Sequence, residues 1–235
     1  MTNASPMLGH HCSGAEWERR VLVKTHTIVV DPKAPQADAI GQAVAALRRG
    51  GLVAFPTDTL YALGADALAA DAVERVLTVK GRARGKPVSV LVPSVEAIAS
   101  LDVSLAAGVP EALRAFWPGP LTVVVKAGAK FPAALTGATG TIGLRVPAGH
   151  VAQAILVAFG GPIIGTSANK AGGPDPADAK TVQRAIGGQI DVILDGGRVA
   201  LGVPSTVLDC TAVPARVLRE GAIPRARLAA AIAVA

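Results

Sequence analysis

Short β-branched runs alternate with stretches of helical period along this chain, and that alternation constrains the fold more than any other feature of the sequence. HTIVV (26–30), LVAF (52–55), PVSVLV (87–92), LTVVVK (121–126), TIGLRV (141–146) and PIIGT (162–166) read as strands, followed by VIL (192–194), TVL (206–208) and RVL (216–218). Between the first two, Ile40, Val44 and Leu47 fall at helical spacing, and Gly50-Gly51 stops the helix predicted over 36–49. Asp71 with Glu74 three residues on has the form of a capping box for a helix running through Lys80. Ser94 caps a short helix, and Pro110 opens one that ends near Trp117. Further helices are expected over 150–159, over 178–187 and after Pro224. Strands separated by helices predict an α/β domain. Residues 121–126 and 141–146 have no helix between them, so the sheet should be mixed rather than fully parallel. No repeat or linker interrupts the pattern. The expected organisation is a flexible N-terminal extension over 1–25 and one domain over 26–235.

Composition narrows the function classes. The chain has 235 residues, 51% hydrophobic but only 3% aromatic, so its core must be built from Ala, Val, Leu and Ile. Scarce rings argue against recognition of single-stranded nucleic acid by stacked bases. The formal charge of +6 favours anionic partners without choosing among them. Cys12 and Cys210 form no CxxC pair, and His10, His11, His26 and His150 have no ligand partner at helical spacing, so no metal site is expected from side chains. The first twenty residues lack the apolar core of a secretory signal, and no stretch is long enough to span a bilayer. A soluble, cytoplasmic protein with no membrane partner is expected.

The usual phosphate signatures are missing: there is no GxxxxGK[ST], no GxGxxG after a strand and no GxSxG. Instead, polar segments sit at the ends of apolar strands, where an open α/β sheet collects ligands. In VKGRARGKP, Lys80, Arg82, Arg84 and Lys86 fall on every second position. Four like charges so close are a solvated loop or a phosphate site. Thr57, Asp58 and Thr59 either satisfy backbone groups in a turn or face a ligand. Arg145 lies in an apolar strand, where a guanidinium needs an anion, supplied by a salt bridge or by a substrate. Ser167, Asn169, Ser205 and Thr206 have ordinary readings as caps or strand-end hydroxyls.

Taken together, PTDTLYALGADA, KGR, WPGPLTVVV, TIGLRVP, GTSAN, PSTVLD and REG stand in the order found in YrdC-like L-threonylcarbamoyladenylate synthases, which the chain resembles from about residue 27 to 225. The resemblance is to the shorter, single-domain form. It implies a twisted mixed sheet with flanking helices and a large basic concave face. It also implies a reaction in which L-threonine, bicarbonate and ATP, with Mg2+, give threonylcarbamoyl-AMP and pyrophosphate. A partner tRNA threonylcarbamoyl transferase complex then modifies tRNA. Carried over residue by residue, the catalytic group is Lys80, Arg82, Ser167 and Asn169, with Arg82, Lys86, Thr141, Ser167 and Arg219 on ATP. Thr59, Arg145 and Ser205, with Thr57 ranked behind Thr59, fall to threonine. Fixed cations would offset charge on the triphosphate, and Mg2+ would be held by phosphate oxygens and water. Relatives with an added C-terminal domain carry a histidine where this chain has Leu91, and no general base is evident. The competing readings are a non-catalytic module of the same fold that binds tRNA or double-stranded RNA, a hydrogenase-maturation carbamoyl-adenylate enzyme, and a YciO-like paralogue with weak synthase activity. The hydrogenase-maturation enzymes are longer and have cysteine pairs that this chain lacks.

Overall fold

The computed structural model describes residues 23–81, 88–103, 105 and 109–235. The expected extension, its cysteine and paired histidines, and Arg82, Arg84 and Lys86 of the basic cluster lie outside the described residues, save for positions 23–25.

The strands form two mixed sheets rather than one. The first takes β1 (His26–Val29), β2 (Val53–Pro56), β3 (Tyr61–Gly64), β8 (Thr166–Ser167) and β9 (Val192–Asp195), in the order β1-β9-β2-β3-β8. The second has the order β11-β10-β5-β6-β4-β7. Its strands are β4 (Ser89–Leu91), β5 (Leu121–Lys126), β6 (Thr141–Arg145), β7 (Ile163–Ile164), β10 (Thr206–Asp209) and β11 (Arg216–Arg219). As expected, β5 and β6 pair antiparallel and β6 pairs parallel with β4, but the connection from β5 to β6, expected to hold no helix, carries a short one at Ala133–Thr136 and a 3-10 turn at Gly137–Thr139. β3 was not predicted: it returns antiparallel to β2 through the TDTL turn, so the loop expected there is a hairpin.

PIIGT was expected to be one strand but serves both sheets. Ile163–Ile164 edges the six-stranded sheet and Thr166–Ser167 the five-stranded one, with Gly165 between them. A Cβ at Gly165 would stand 2.2 Å from Leu91 Cγ, so only glycine lets the chain cross this close to the Leu91 side chain.

Two layers of core follow from the period-2 alternation of the five-stranded sheet. Val53, Phe55, Val192 and Leu194 face one cluster with α1 (Ala37–Arg48) and α5 (His150–Phe159). Ala54, Tyr61, Leu63 and Ile193 face the larger cluster, with α2 (Ala70–Lys80) and α6 (Ala179–Ile186). The 3-10 helices at Glu96–Leu101 and Gly137–Thr139, α3 (Val109–Leu113), α4 (Ala133–Thr136) and α7 (Arg225–Ala229) complete the described helices.

Two helix ends differ from expectation. The capping box does not form: α2 starts after Ala69 with no side-chain cap, and Asp71 sits within the first turn, where its charge suits the helix dipole. The helix after Pro110 stops at Leu113, and Phe116 and Trp117 hang on it by backbone bonds to Leu113. Ser94 stands one residue before the N-cap, Val95, yet its Oγ accepts from Ala97 N at 3.3 Å, and Asp178 caps α6 through Thr181 N at 2.7 Å.

Candidate active site

One cavity of about 580 Å³ lies between the two sheets. Its floor is one face of the six-stranded sheet. Ser89 and Leu91 from β4, Thr122 and Val124 from β5, Gly143 and Arg145 from β6, and Val207 from β10 alternate onto that face. The intervening Val90, Val123, Ile142, Leu144 and Leu208 enter the core behind it. A Cβ at Gly143 would meet Thr122 Cγ2 at 2.9 Å and Ser89 Oγ at 3.0 Å, so glycine lets its neighbours close over a flat floor. The five-stranded sheet supplies the wall: Thr57, Thr59 and Leu60 of the β2–β3 turn, Tyr61, Ala62, Thr166 and Ser167.

Arg145 lines the cavity and is 6% exposed. Its Nε donates to Gly119 O (2.9 Å), Nη1 to Thr59 Oγ1 (2.8 Å) and Nη2 to Asp58 Oδ1 (2.7 Å). The anion that an apolar strand demands of a guanidinium is therefore Asp58, from the hairpin of the opposite sheet. Burial lowers the Arg145 proton affinity, the charge and hydrogen bond of Asp58 oppose that, and nearby Arg219 adds to the lowering. The hydrogen bonds beyond Arg145 have a fixed direction. Thr57 spends its only proton on Leu60 O (2.7 Å), so in its 3.0 Å contact with Thr59 the Thr59 hydroxyl is the donor. Thr59 thus accepts from Arg145 and donates to Thr57, leaving it acceptor capacity towards the cavity.

Lys80, also in the lining, is the last residue of α2 and 4% exposed, followed by Gly81 at φ +60°. A cation at a helix C-terminus meets favourable carbonyl dipoles. Its Nζ also donates to Ser167 O (2.5 Å), Asn169 O (3.0 Å) and Asn169 Oδ1 (3.2 Å). Asn169 Oδ1 accepts from Ser167 Oγ as well (2.8 Å), and its Nδ2 donates to Gly173 O and Pro174 O. Lys80, Ser167 and Asn169, expected together, form one hydrogen-bonded unit on the cavity wall that holds the 167–174 loop in shape.

Ser205 completes the set: its Oγ lies 2.9 Å from Thr122 Oγ1, and Arg219 Nη2 donates to its carbonyl (2.8 Å). Burial lowers the Arg219 proton affinity, which Asp175, also on the cavity wall, opposes. Thr141 was expected on ATP but stands apart. It begins β6 on the Arg145 face, yet outside the cavity lining, with its hydroxyl 2.7 Å from that of Thr139. The sequence reading missed Ser89, Thr122 and Gly143. The signal was present, since each breaks an apolar strand at the period-2 position that also carries Leu91, Val124 or Arg145. Among the described residues no three His, Cys, Asp or Glu side chains cluster as a metal site.

The Sua5/YciO/YrdC family, described as telomere recombination, matches residues 45–221. The chain belongs to that family. A threonylcarbamoyl-AMP synthase of Pyrococcus abyssi is 39% identical over 178 residues, which are 76% of this chain and 52% of that protein. The chain thus spans about half the length of that relative. A threonylcarbamoyl-AMP synthase of Halorhodospira halophila is 35% identical over 170 residues, 72% of this chain and 89% of the relative. The crystal structure of P. abyssi Sua5 complexed with L-threonine superposes with a TM-score of 0.84 at 35% identity, covering 90% of this chain and 63% of that one. Family and mixed α/β fold agree with the resemblance read from the sequence.

Proposed function

We propose that this protein is a threonylcarbamoyl-AMP synthase, acting on L-threonine, bicarbonate and ATP and releasing pyrophosphate. The observation that carries the reading is the convergence of Arg145, Thr59 and Ser205 with Lys80, Ser167 and Asn169 on one cavity. Arg145 has five N–H groups and gives three to the protein. One on each terminal nitrogen remains for the substrate carboxylate. Thr59 offers an acceptor to the amino-acid N–H or hydroxyl, and Ser205 flanks it.

In the reaction the threonine nitrogen attacks the bicarbonate carbon with loss of water. A carbamate oxygen then attacks the α-phosphorus of ATP, and the bond to pyrophosphate breaks. Lys80, Arg219 and the neighbouring Arg82 and Lys86 supply positive charge to the phosphate oxygens and leaving group, and Ser167 and Asn169 hold Lys80 in place. Asp175 is the carboxylate on the described cavity wall, which fits a magnesium ion carried mainly by phosphate oxygens and water rather than by a protein cage. Such an ion supplies charge to the phosphate oxygens.

The product is a reactive mixed anhydride, so a transferase complex must take it on to tRNA. The reading places the protein in the cytoplasm. Among the described residues no helix is long and apolar enough to cross a membrane.

The test is to incubate the purified protein with ATP, bicarbonate and each amino acid in turn. Pyrophosphate release that needs threonine and bicarbonate together is expected, and Lys80→Ala should cut it by about a hundredfold or more with the fold retained. Salt-sensitive RNA binding with no such turnover would replace the enzyme with an RNA-binding module.

A further inference from the structure

The carboxylate of Asp58 is out of the ordinary in one respect. Its Oδ1 accepts from Arg145 Nη2 at 2.7 Å and from Ala148 N at 3.1 Å. Its Oδ2 is buried and has no hydrogen-bond partner among the described residues. An ionised oxygen out of water without a donor is costly. An asparagine could make both Oδ1 contacts, with an equally partnerless amide nitrogen in place of Oδ2, so what the carboxylate adds is its charge.

That charge lies against a guanidinium whose side chain is 8% exposed. The two residues also belong to different sheets. Asp58 sits in the β2–β3 hairpin, and Arg145 ends β6. The hairpin itself is clamped, with Leu201 N donating to Asp58 O (3.2 Å) and Gly202 N to Thr59 O (3.0 Å). Gly149 approaches from the other side, where a Cβ would come within 3.1 Å of Asp58 N. The carboxylate is thus a fixed point and the long arginine side chain is the movable partner.

We infer that Asp58 is a positioning residue. Its charge pins one terminal nitrogen of Arg145 so that the N–H groups left over stay at the cavity wall for the carboxylate of the substrate amino acid. The inference rests on the synthase reading. It adds that amino-acid affinity is set from outside the cavity lining, by a residue that need not touch substrate.

The experiment measures KM for threonine and for ATP by pyrophosphate release in Asp58→Ala, Asp58→Asn and Arg145→Ala, with a thermal melt of each. Asp58→Ala should raise the threonine KM by about thirtyfold and leave the ATP KM within about twofold. Asp58→Asn keeps an acceptor for Arg145 but loses the charge, and should raise the threonine KM by about three- to tenfold. Should Asp58→Ala fail to fold, Asp58→Asn decides by the same readout. Unchanged threonine KM in the Asp58 variants, or threonine and ATP KM rising together, overturns the inference. If Arg145→Ala raises the threonine KM while the Asp58 variants do not, the synthase reading stands and only the role of Asp58 is lost. A wild-type protein with no threonine-dependent turnover removes both.

Discussion

The two sheets are built from similar residues and do different work. In the five-stranded sheet both faces of the central strands are buried: every residue of β2 and β3 is inaccessible, and alternate side chains enter separate cores. The six-stranded sheet is packed along the whole of one face, and on the other only its β4–β7 edge is packed, through Leu91 and Ile163. Its other face carries Ser89, Thr122, Gly143 and Arg145 and forms the cavity floor. Strands closed on both faces contribute chiefly stability, and the five-stranded sheet reaches the cavity only through the β2–β3 turn, the start of β3 and β8, whereas a sheet with a polar face spends part of its packing on a site. Substitutions in the two sheets should therefore separate into changes of folding and changes of turnover.

The largest effect tests the closed sheet. Phe55 is fully buried on β2, and its ring lies over Gly64, where an added Cβ would approach Cε1 to 2.6 Å. Phe55→Ala should cost about 3–5 kcal/mol of unfolding free energy. Turnover per folded molecule should stay within about twofold, read by denaturant titration beside a pyrophosphate assay. A large loss of turnover in the folded fraction would show that the two sheets are not separable in this way.

The open floor gives the converse. Gly143→Val places two methyl groups among Thr122, Ser89 and the cavity. Turnover should fall by about a hundredfold, equivalent to about 2.7 kcal/mol, with a smaller stability change than in Phe55→Ala. Equal turnover in wild type and variant would mean that this stretch of floor is not used.

The comparison also explains which parts were legible in the sequence. Strands of the closed sheet are plain apolar runs, and HTIVV, LVAF and VIL were all found. β3 was missed because YALG is only four residues long and follows TDTL directly, so the polar stretch was read as a loop at a strand end rather than as a hairpin turn. The division into two sheets was not legible either. Strand runs carry their own period but not the identity of their neighbours, and in PIIGT the crossing rests on one glycine that looks like an ordinary strand residue. Arg145, Lys80, Ser167 and Asn169 were found because a cation in an apolar strand and motifs in a fixed order are local facts. Asp58 was read as a turn residue or one facing a ligand, and not as the partner of Arg145, which lies 87 positions away.

Gly165 sits where the two sheets meet, and its substitution should fall between the two classes. A Cβ there would overlap Leu91 Cγ, Cδ1 and Cδ2 at 2.2, 2.6 and 2.7 Å. Gly165→Ala should therefore cost about 1–3 kcal/mol of stability by overpacking, and shift Leu91 on the cavity floor. Adding Leu91→Ala removes the overlapping atoms, so the double variant should be more stable than the sum of the two single losses. Simple additivity in a double-mutant cycle would mean that the backbone, not Leu91, gives way.

The smallest effect belongs to the closed side. Asp178 caps α6, which packs beside β9, and its Oδ1 accepts from Thr181 N at 2.7 Å. That backbone hydrogen bond, followed by the Thr181 hydroxyl, holds the Asp178 carboxyl below its ordinary aspartate value. A depressed folded-state value means the unfolded chain binds the proton more readily. The cap's contribution is therefore present above the unfolded value and lost as the pH falls through the folded one. Asp178→Ala should cost about 1 kcal/mol at neutral pH, and the gap to wild type should close below about pH 4. Threonine and ATP kinetics should not move, because the cap touches neither the floor nor the Arg145 network. A stability gap that persists undiminished in acid would show that the helix end is held by shape rather than by the carboxylate's charge. A shift in either KM would show that the loop running from Asn169 to this cap carries strain from the closed side into the cavity.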